Sequence, residues 1–331
     1  MVLDGPLPAH GGDLAAAEAR WARPIQGWLD LSTGCNPWPY PVPTLPPAAW
    51  SRLPGRAEDL ALRRAAAAFY GAADPECVLP APGSGALIRL LPRLLPPGPV
   101  AVVGPTYGEH AAAWAAAGHA VRDIPHLDAA GESSVVVVAN PNNPDGRTVA
   151  PARLLALAAE LAERGGLLVV DEAFGDTDPA LSVVPHLAPG LLVLRSLGKF
   201  HGLPGLRLGF ALALPDRLAP LAEALGPWPV SGPALEIGRR ALEDGDWASA
   251  TRSRLAQAAA RLDRVLMEAG LTVAGGTPLF RLVDHADAHG LWDRLGRAGI
   301  LTRAFPARPL WLRLGLPAGE AALLRLGRSL R

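Results

Sequence analysis

Short, continuous runs of apolar residues recur through the middle of the chain, each separated from the next by a polar or glycine-rich stretch and a helix-length segment. Residues 100–103, 120–124, 135–139, 167–170, 191–195 and 206–212 have the length and the β-branched or leucine content of strands. Runs that lack alternation belong to strands covered on both faces, as in a parallel sheet. Helical patterns fill the spaces at 58–70, closed by Gly71, and at 85–95, 109–117 and 151–164, the last with Pro151 at its first turn. This alternation, sustained over about 150 residues, predicts an α/β layer fold with a mostly parallel sheet covered by helices.

The pattern breaks in a Pro/Gly-rich stretch at 227–233. A long helical region at 233–270 follows, then strands at 271–273, 279–283 and 311–314 among helices, and a final helix at 318–330. The organisation expected is an N-terminal segment (1–45) with a short helix at 13–22, a large α/β domain (46–226) and a small α+β domain (227–331). The first segment is expected to join the small domain and reach the active site.

The 31 basic and 31 acidic side chains balance, which gives no electrostatic reason to expect nucleic acid or an anionic membrane as partner. No apolar run approaches the ~18 residues of a membrane span, and no basic stretch leads into an apolar one at the start, so a cytoplasmic protein is expected. Two cysteines, Cys35 and Cys77, are too few for a disulfide framework or a cysteine metal cluster. One fact changes the picture. Among the 31 basic residues, Lys199 is the only lysine. Arginine replaces lysine wherever a positive charge is enough, but a guanidinium stays protonated, whereas a desolvated ammonium can lose its proton and attack a carbonyl.

The surroundings of Lys199 give that oddity a meaning. The run 135–139 leads into Asn140-Pro-Asn-Asn143-Pro-Asp-Gly146, the run 167–170 into Asp171-Glu-Ala-Phe174, and the run 191–194 into Arg195-Ser196-Leu-Gly-Lys199. Each cluster alone reads as turn or cap chemistry. In parallel α/β sheets, ligands bind beyond the carboxyl ends of the strands, so three polar clusters at successive strand ends converge on one place. A pyridoxal cofactor would use all of them. Lys199 would hold its aldehyde as an imine and move protons, and Asp171 would pair with the pyridine nitrogen. Asn143 would donate to the ring's 3′ oxygen, and Tyr107 would stack on the ring. Gly83, Ser84 and Gly85 at a helix start, with Ser196 and Arg207, would hold the phosphate.

The ordered set Asn-Pro-Asn-Asn-Pro-Asp-Gly, Asp-Glu-Ala-Phe and Ser-Leu-Gly-Lys-Phe…Gly-Leu-Arg-Leu-Gly resembles the class I/II aminotransferases, nearest the histidinol-phosphate aminotransferase branch, over almost the whole chain. The resemblance implies PLP fold type I, pyridoxal 5′-phosphate as cofactor, and a homodimer with each active site near the subunit interface. His10-Gly11-Gly12, followed by Asp30-Leu-Ser32-Thr-Gly34-Cys-Asn36-Pro37, is similar to the threonine-phosphate decarboxylases of cobalamin biosynthesis. That likeness implies a phosphorylated amino acid as substrate, decarboxylated to (R)-1-amino-2-propanol phosphate. His10 and Gly11 would reach its phosphate, Arg313 its carboxylate, and Arg303 the phosphate again. Asn143 would also touch the substrate.

Three positions depart from the relatives. Phe174 stands where many aminotransferases have Tyr, and Leu53 where many have a Tyr that reaches the partner subunit's cofactor phosphate. At Gly34, where decarboxylases can have Asn, only backbone could meet the substrate. Amino transfer on histidinol phosphate and a catalytically silent protein of corrin assembly are the alternatives. The residues do not separate decarboxylation from transamination, because the outcome depends on which bond at Cα stands perpendicular to the cofactor ring.

Overall fold

In the computed structural model, which describes residues 10–331, the chain begins with a helix Leu14–Trp21 (α1), capped by the Asp13 side chain on the N–H of Ala16, and a two-residue strand Leu29–Asp30 (β1). Two helices, Ala48–Ser51 (α2) and Arg56–Tyr70 (α3), lead to Val78–Ala81 (β2), Ser84–Leu90 (α4), Pro99–Val103 (β3) and Glu109–Ala116 (α5). Then come Ala120–Ile124 (β4), Val135–Ala139 (β5), Pro151–Glu163 (α6), Leu167–Asp171 (β6), Leu191–Ser196 (β7) and Gly209–Leu212 (β8). The helices Pro215–Leu225 (α7), Gly232–Glu243 (α8) and Gly245–Glu268 (α9) are followed by Thr272–Thr277 (β9), Phe280–Asp284 (β10) and Ala288–Arg297 (α10). The last elements are Ile300–Leu301 (β11), Arg303–Phe305 (β12), Arg308–Gly315 (β13) and Glu320–Leu330 (α11).

The chain divides into two units: residues 39–143 with 147–249, and residues up to 38 with 144–146 and 250–331. The larger unit carries a seven-stranded sheet in the order β2-β8-β7-β6-β5-β3-β4. All neighbours are parallel except β8, antiparallel to both β7 and β2, because the chain returns from β7 through a turn and not a crossover helix. Alternate side chains of each central strand enter opposite faces. Val136, Val138, Leu168, Val170 and Val193 pack with α3, α6 and α8, while Val135, Val137, Leu167, Val169 and Leu192 pack with α4, α5 and α7. Strand order reverses between β3 and β5, so the carboxyl ends of β3, β5 and β6 open at a topological switch point. The smaller unit holds a four-stranded antiparallel sheet, β12-β13-β10-β9, and the parallel pair β1-β11.

Several elements differ from the sequence expectation, each for a local reason. The helix expected at 85–95 ends at Leu90 and becomes a 3₁₀ turn, because Pro92 has no N–H for the α pattern. The helix expected at 233–270 is two, broken at Asp244, whose carboxylate accepts the N–H of Trp247 and starts α9. The strand expected at 206–212 starts only at Gly209, after Arg207 takes a left-handed conformation (φ 53°). Ala234, Leu235 and Leu242 of α8 join the α3 face of the large core, and the larger unit runs to residue 249. Strand β2, unpredicted, carries Pro80, which is tolerated because the strand is at the sheet edge. No described helix is long and apolar enough to cross a membrane.

Candidate active site

In the larger unit the expected cofactor residues lie on the strand ends and the turns that leave them. Asp171, the last residue of β6, is buried. Its Oδ1 accepts the N–H of Ala173 at 3.0 Å, and its Oδ2 lies 2.9 Å from Nε2 of His110, itself buried in α5. Against an acceptor-only carboxylate, Nε2 carries the proton and donates. Each carboxylate oxygen keeps a second lone pair, so Asp171 can still accept from a ring N–H. His110 is absent from the sequence reading. Its signal was the spacing Tyr107-Gly-Glu-His110, which puts the imidazole one helical turn beyond Tyr107. The Tyr107 ring stands edge-on to it with centroids 6.1 Å apart. Burial, and then the charges of Glu109 and Asp171, push the Tyr107 phenol up.

The loop after β5 is held by its own asparagines. Asn140 accepts from the N–H of Val149 and donates to its carbonyl. Asn142 donates to the carbonyl of Pro105 and accepts from Thr106 Oγ1 at 2.7 Å. Arg147 Nη2 adds a bond to the carbonyl of Val103. Asn140 and Asn142 therefore shape the loop, and half-buried Asn143 follows at its end.

Lys199 is half-buried in the turn after β7, with Nζ 5.7 Å from the centroid of the Phe174 ring. Beside it, glycines permit a close approach of three chain segments. Ser196 pairs with Gly209 across β7 and β8, and a Cβ on Gly209 would lie 2.3 Å from the backbone N of Ser84. Gly83, at φ 86°, faces Arg207, where a Cβ would come within 2.8 Å of Nη2. These contacts bring Gly83, Ser84, Ser196 and Arg207 into one cradle of N–H, hydroxyl and guanidinium donors, the donor set a phosphate requires. Gly85 is the second residue of α4. The residues present fit pyridoxal phosphate, with a phosphate cradle on glycine-opened backbone and a buried carboxylate braced by a histidine. Replacing His110 with Phe should weaken cofactor affinity about 10- to 100-fold, the scale of a lost charge-assisted hydrogen bond. Fluorescence titration of the apo-protein with pyridoxal phosphate measures this, and unchanged affinity would remove His110 from the site.

Behind these strand ends, on the opposite face of the sheet, is a buried ionic cluster that the sequence reading missed. Arg195 Nη2 lies 2.6 Å from Glu172 Oε2, and Nη1 2.7 Å from Asp176 Oδ1. The guanidinium also covers the Tyr70 ring at 4.6 Å. Burial, then the charge of Asp176, pushes the Tyr70 phenol well up.

In the smaller unit Arg303 and Arg313 are direct cross-strand partners on β12 and β13. Arg313 is buried, and burial with the charge of Arg303 lowers its guanidinium to about 10. Like charges set opposite each other repel, and an anionic ligand relieves that repulsion. Arg313 Nη2 donates to the carbonyl of Ser32 at 2.8 Å, and the N–H of Gly12 donates to Ser32 Oγ at 2.7 Å. The His10-Gly11-Gly12 segment, the Asp30–Ser32 segment and Arg313 are thus joined, and buried Gly34 lies just beyond Ser32. Leu53, in the larger unit, is exposed.

With this arrangement in view, the aminotransferase class I and II profile matches residues 49–326. The chain belongs to the aminotransferase class I and II family. It is 49% identical to a threonine-phosphate decarboxylase of Sinorhizobium sp, over 99% of this chain and 98% of that one. It is 50% identical to a threonine-phosphate decarboxylase of Pseudomonas aeruginosa, over 97% and 96%. The fold is similar to a histidinol-phosphate aminotransferase of Sinorhizobium meliloti in complex with pyridoxal-5′-phosphate, at TM-score 0.82 and 24% identity, covering 99% of this chain and 94% of that one. Membership in this family makes pyridoxal phosphate the cofactor and PLP fold type I the architecture.

Proposed function

We propose that this protein decarboxylates O-phospho-L-threonine to (R)-1-amino-2-propanol phosphate and carbon dioxide, as a cytoplasmic homodimer. Identity near one half over almost the full length of two threonine-phosphate decarboxylases carries this reading. The smaller unit supports it with two arginines in cross-strand register, the donor set for a substrate with two anionic ends.

When bound, pyridoxal phosphate supplies an electron sink for the pair left on Cα as carbon dioxide departs. Lys199 would hold the cofactor through its aldehyde, and its side-chain amine would return a proton to Cα. Asp171, braced by His110, keeps the pyridine nitrogen protonated. Asn143 would donate to the 3′ oxygen, and Tyr107 would pack beside the ring. Gly83, Ser84, Gly85, Ser196 and Arg207 hold the cofactor phosphate. Arg313 grips the substrate carboxylate, while Arg303, His10 and Gly11 grip its phosphate, with Gly34 offering backbone alone.

The test is a substrate screen with purified holoenzyme that follows carbon dioxide and keto acid separately. Carbon dioxide from O-phospho-L-threonine, without keto acid, is the expected result. Amino transfer from glutamate to imidazole-acetol phosphate, without carbon dioxide from phosphothreonine, would overturn it in favour of an aminotransferase.

A further inference from the structure

Both amino-terminal motifs and the carboxylate arginine meet at one residue with no role in the reading above. Ser32 is 1% exposed. Its hydroxyl has one proton, and Asp30 Oδ1, an acceptor only, lies 2.6 Å from Oγ and also takes the Ser32 N–H at 2.8 Å. The proton therefore points at Asp30. The Oγ lone pairs are left facing the N–H of Gly12, which donates at 2.7 Å. On the backbone side, the Ser32 carbonyl receives Arg313 Nη2 at 2.8 Å. Gly11 passes so close that a Cβ there would lie 2.4 Å from that same carbonyl oxygen, a distance no side chain permits. Ser32 thus presents two separate contacts, hydroxyl to the His10-Gly11-Gly12 segment and carbonyl to Arg313.

We infer that Ser32 is a positioning residue for phosphate recognition, its hydroxyl fixing the His10-Gly11-Gly12 segment over the strand that carries Arg313. The inference rests on the assignment of His10 and Gly11 to the substrate phosphate. A segment with two consecutive glycines loses much conformational freedom on ordering. Ser32 imposes that order before substrate arrives, so the spacing between the phosphate end and the carboxylate end is set by the protein. Removing the hydroxyl shifts the ordering cost onto phosphate binding. The carboxylate contact is spared, because a main-chain carbonyl survives any side-chain change.

Calorimetric titration of holoenzyme with two substrate fragments separates these effects. O-Phosphoethanolamine has the phosphate and no carboxylate, and L-threonine has the carboxylate and no phosphate. In Ser32→Ala the dissociation constant for O-phosphoethanolamine should rise about tenfold, the effect of one buried hydrogen bond, while that for L-threonine stays within about twofold. The KM for O-phospho-L-threonine should rise with the former, and the absorption spectrum of the bound cofactor should not change. Asp30→Ala, which releases the hydroxyl proton from its fixed direction, should shift phosphate binding in the same sense by less. Ser32→Thr, which keeps the hydroxyl, should bind O-phosphoethanolamine more tightly than Ser32→Ala. Equal weakening of both fragments, or of neither, would overturn the inference. A wild-type protein that binds O-phosphoethanolamine no better than ethanolamine would instead overturn the phosphate assignment beneath it.

Discussion

Lys199→Arg should reduce carbon dioxide release by on the order of 10⁴-fold or more, since it removes the amine proposed to hold the cofactor and to serve Cα as acid–base group. Elsewhere in this chain arginine does the work of a positive charge, and 30 of the 31 basic residues are arginine. At residue 199 the charge is not what matters. A guanidinium keeps its proton at every working pH and has no lone pair to offer a carbonyl. The site also sets a steric limit, because Lys199 lies in a tight turn whose Gly202 N–H bonds back to its carbonyl at 3.2 Å. The phosphate cradle of Ser84, Ser196 and Arg207 is untouched by the change. Pyridoxal phosphate should therefore still bind, but without covalent attachment, and should leave on dialysis. Borohydride reduction followed by mass spectrometry distinguishes the two states, with wild type retaining the label and the variant losing it. Retention of one tenth or more of wild-type turnover in Lys199→Arg would sink the assignment.

Much of the large unit was legible because its strands are buried on both faces. A run such as 167–170 needs no alternation to be read, and the polar residues directly after it then mark the strand end. Asp171 and Lys199 stand where that pattern places them, at and just after the carboxyl ends of neighbouring strands. What escaped were contacts that only the third dimension supplies. His110 sits on a helix face, and nothing local ties it to a carboxylate 61 positions later. Ser32 lies inside a motif already noted, yet its tie to Arg313 spans 281 positions. The short strands β11 and β12 were missed because two- and three-residue runs carry no periodicity. The cluster around Arg195 was missed for a different reason. Glu172 and Arg195 each stand beside a residue facing the cofactor side, and alternation along a strand sends the neighbour to the opposite face. Two adjacent polar positions at a strand end thus point to different faces, one toward the candidate site and one toward the interior.

That interior cluster gives the largest stability effect expected of any single change here. Arg195 bonds Glu172, Asp176 and Ser182 at 2.6, 2.7 and 2.7 Å, all four residues being buried. Gly175 has no side chain where one would come within 2.8 Å of Arg195 Nη1, so the backbone is shaped around the guanidinium. Taking the cation away strands carboxylates in a low-dielectric interior, which costs about 3–5 kcal/mol for a buried pair. Arg195→Met should lose that much and lower Tm by roughly 5 °C, measured by calorimetry. Arg195→Lys should fall between the two, because a single ammonium cannot reproduce the planar fork that reaches both acids. The decisive comparison adds Glu172→Gln to Arg195→Met. The amide removes a negative charge and can keep its acceptor toward the N–H of Val183, now 2.9 Å from Oε1. If the penalty is uncompensated charge, the double variant should be more stable than Arg195→Met alone. If the penalty is lost packing of the long side chain over Tyr70, the second substitution should recover nothing. A Tm for Arg195→Met within about 1 °C of wild type would mean that the ion pairs hold the strand ends at little net energy.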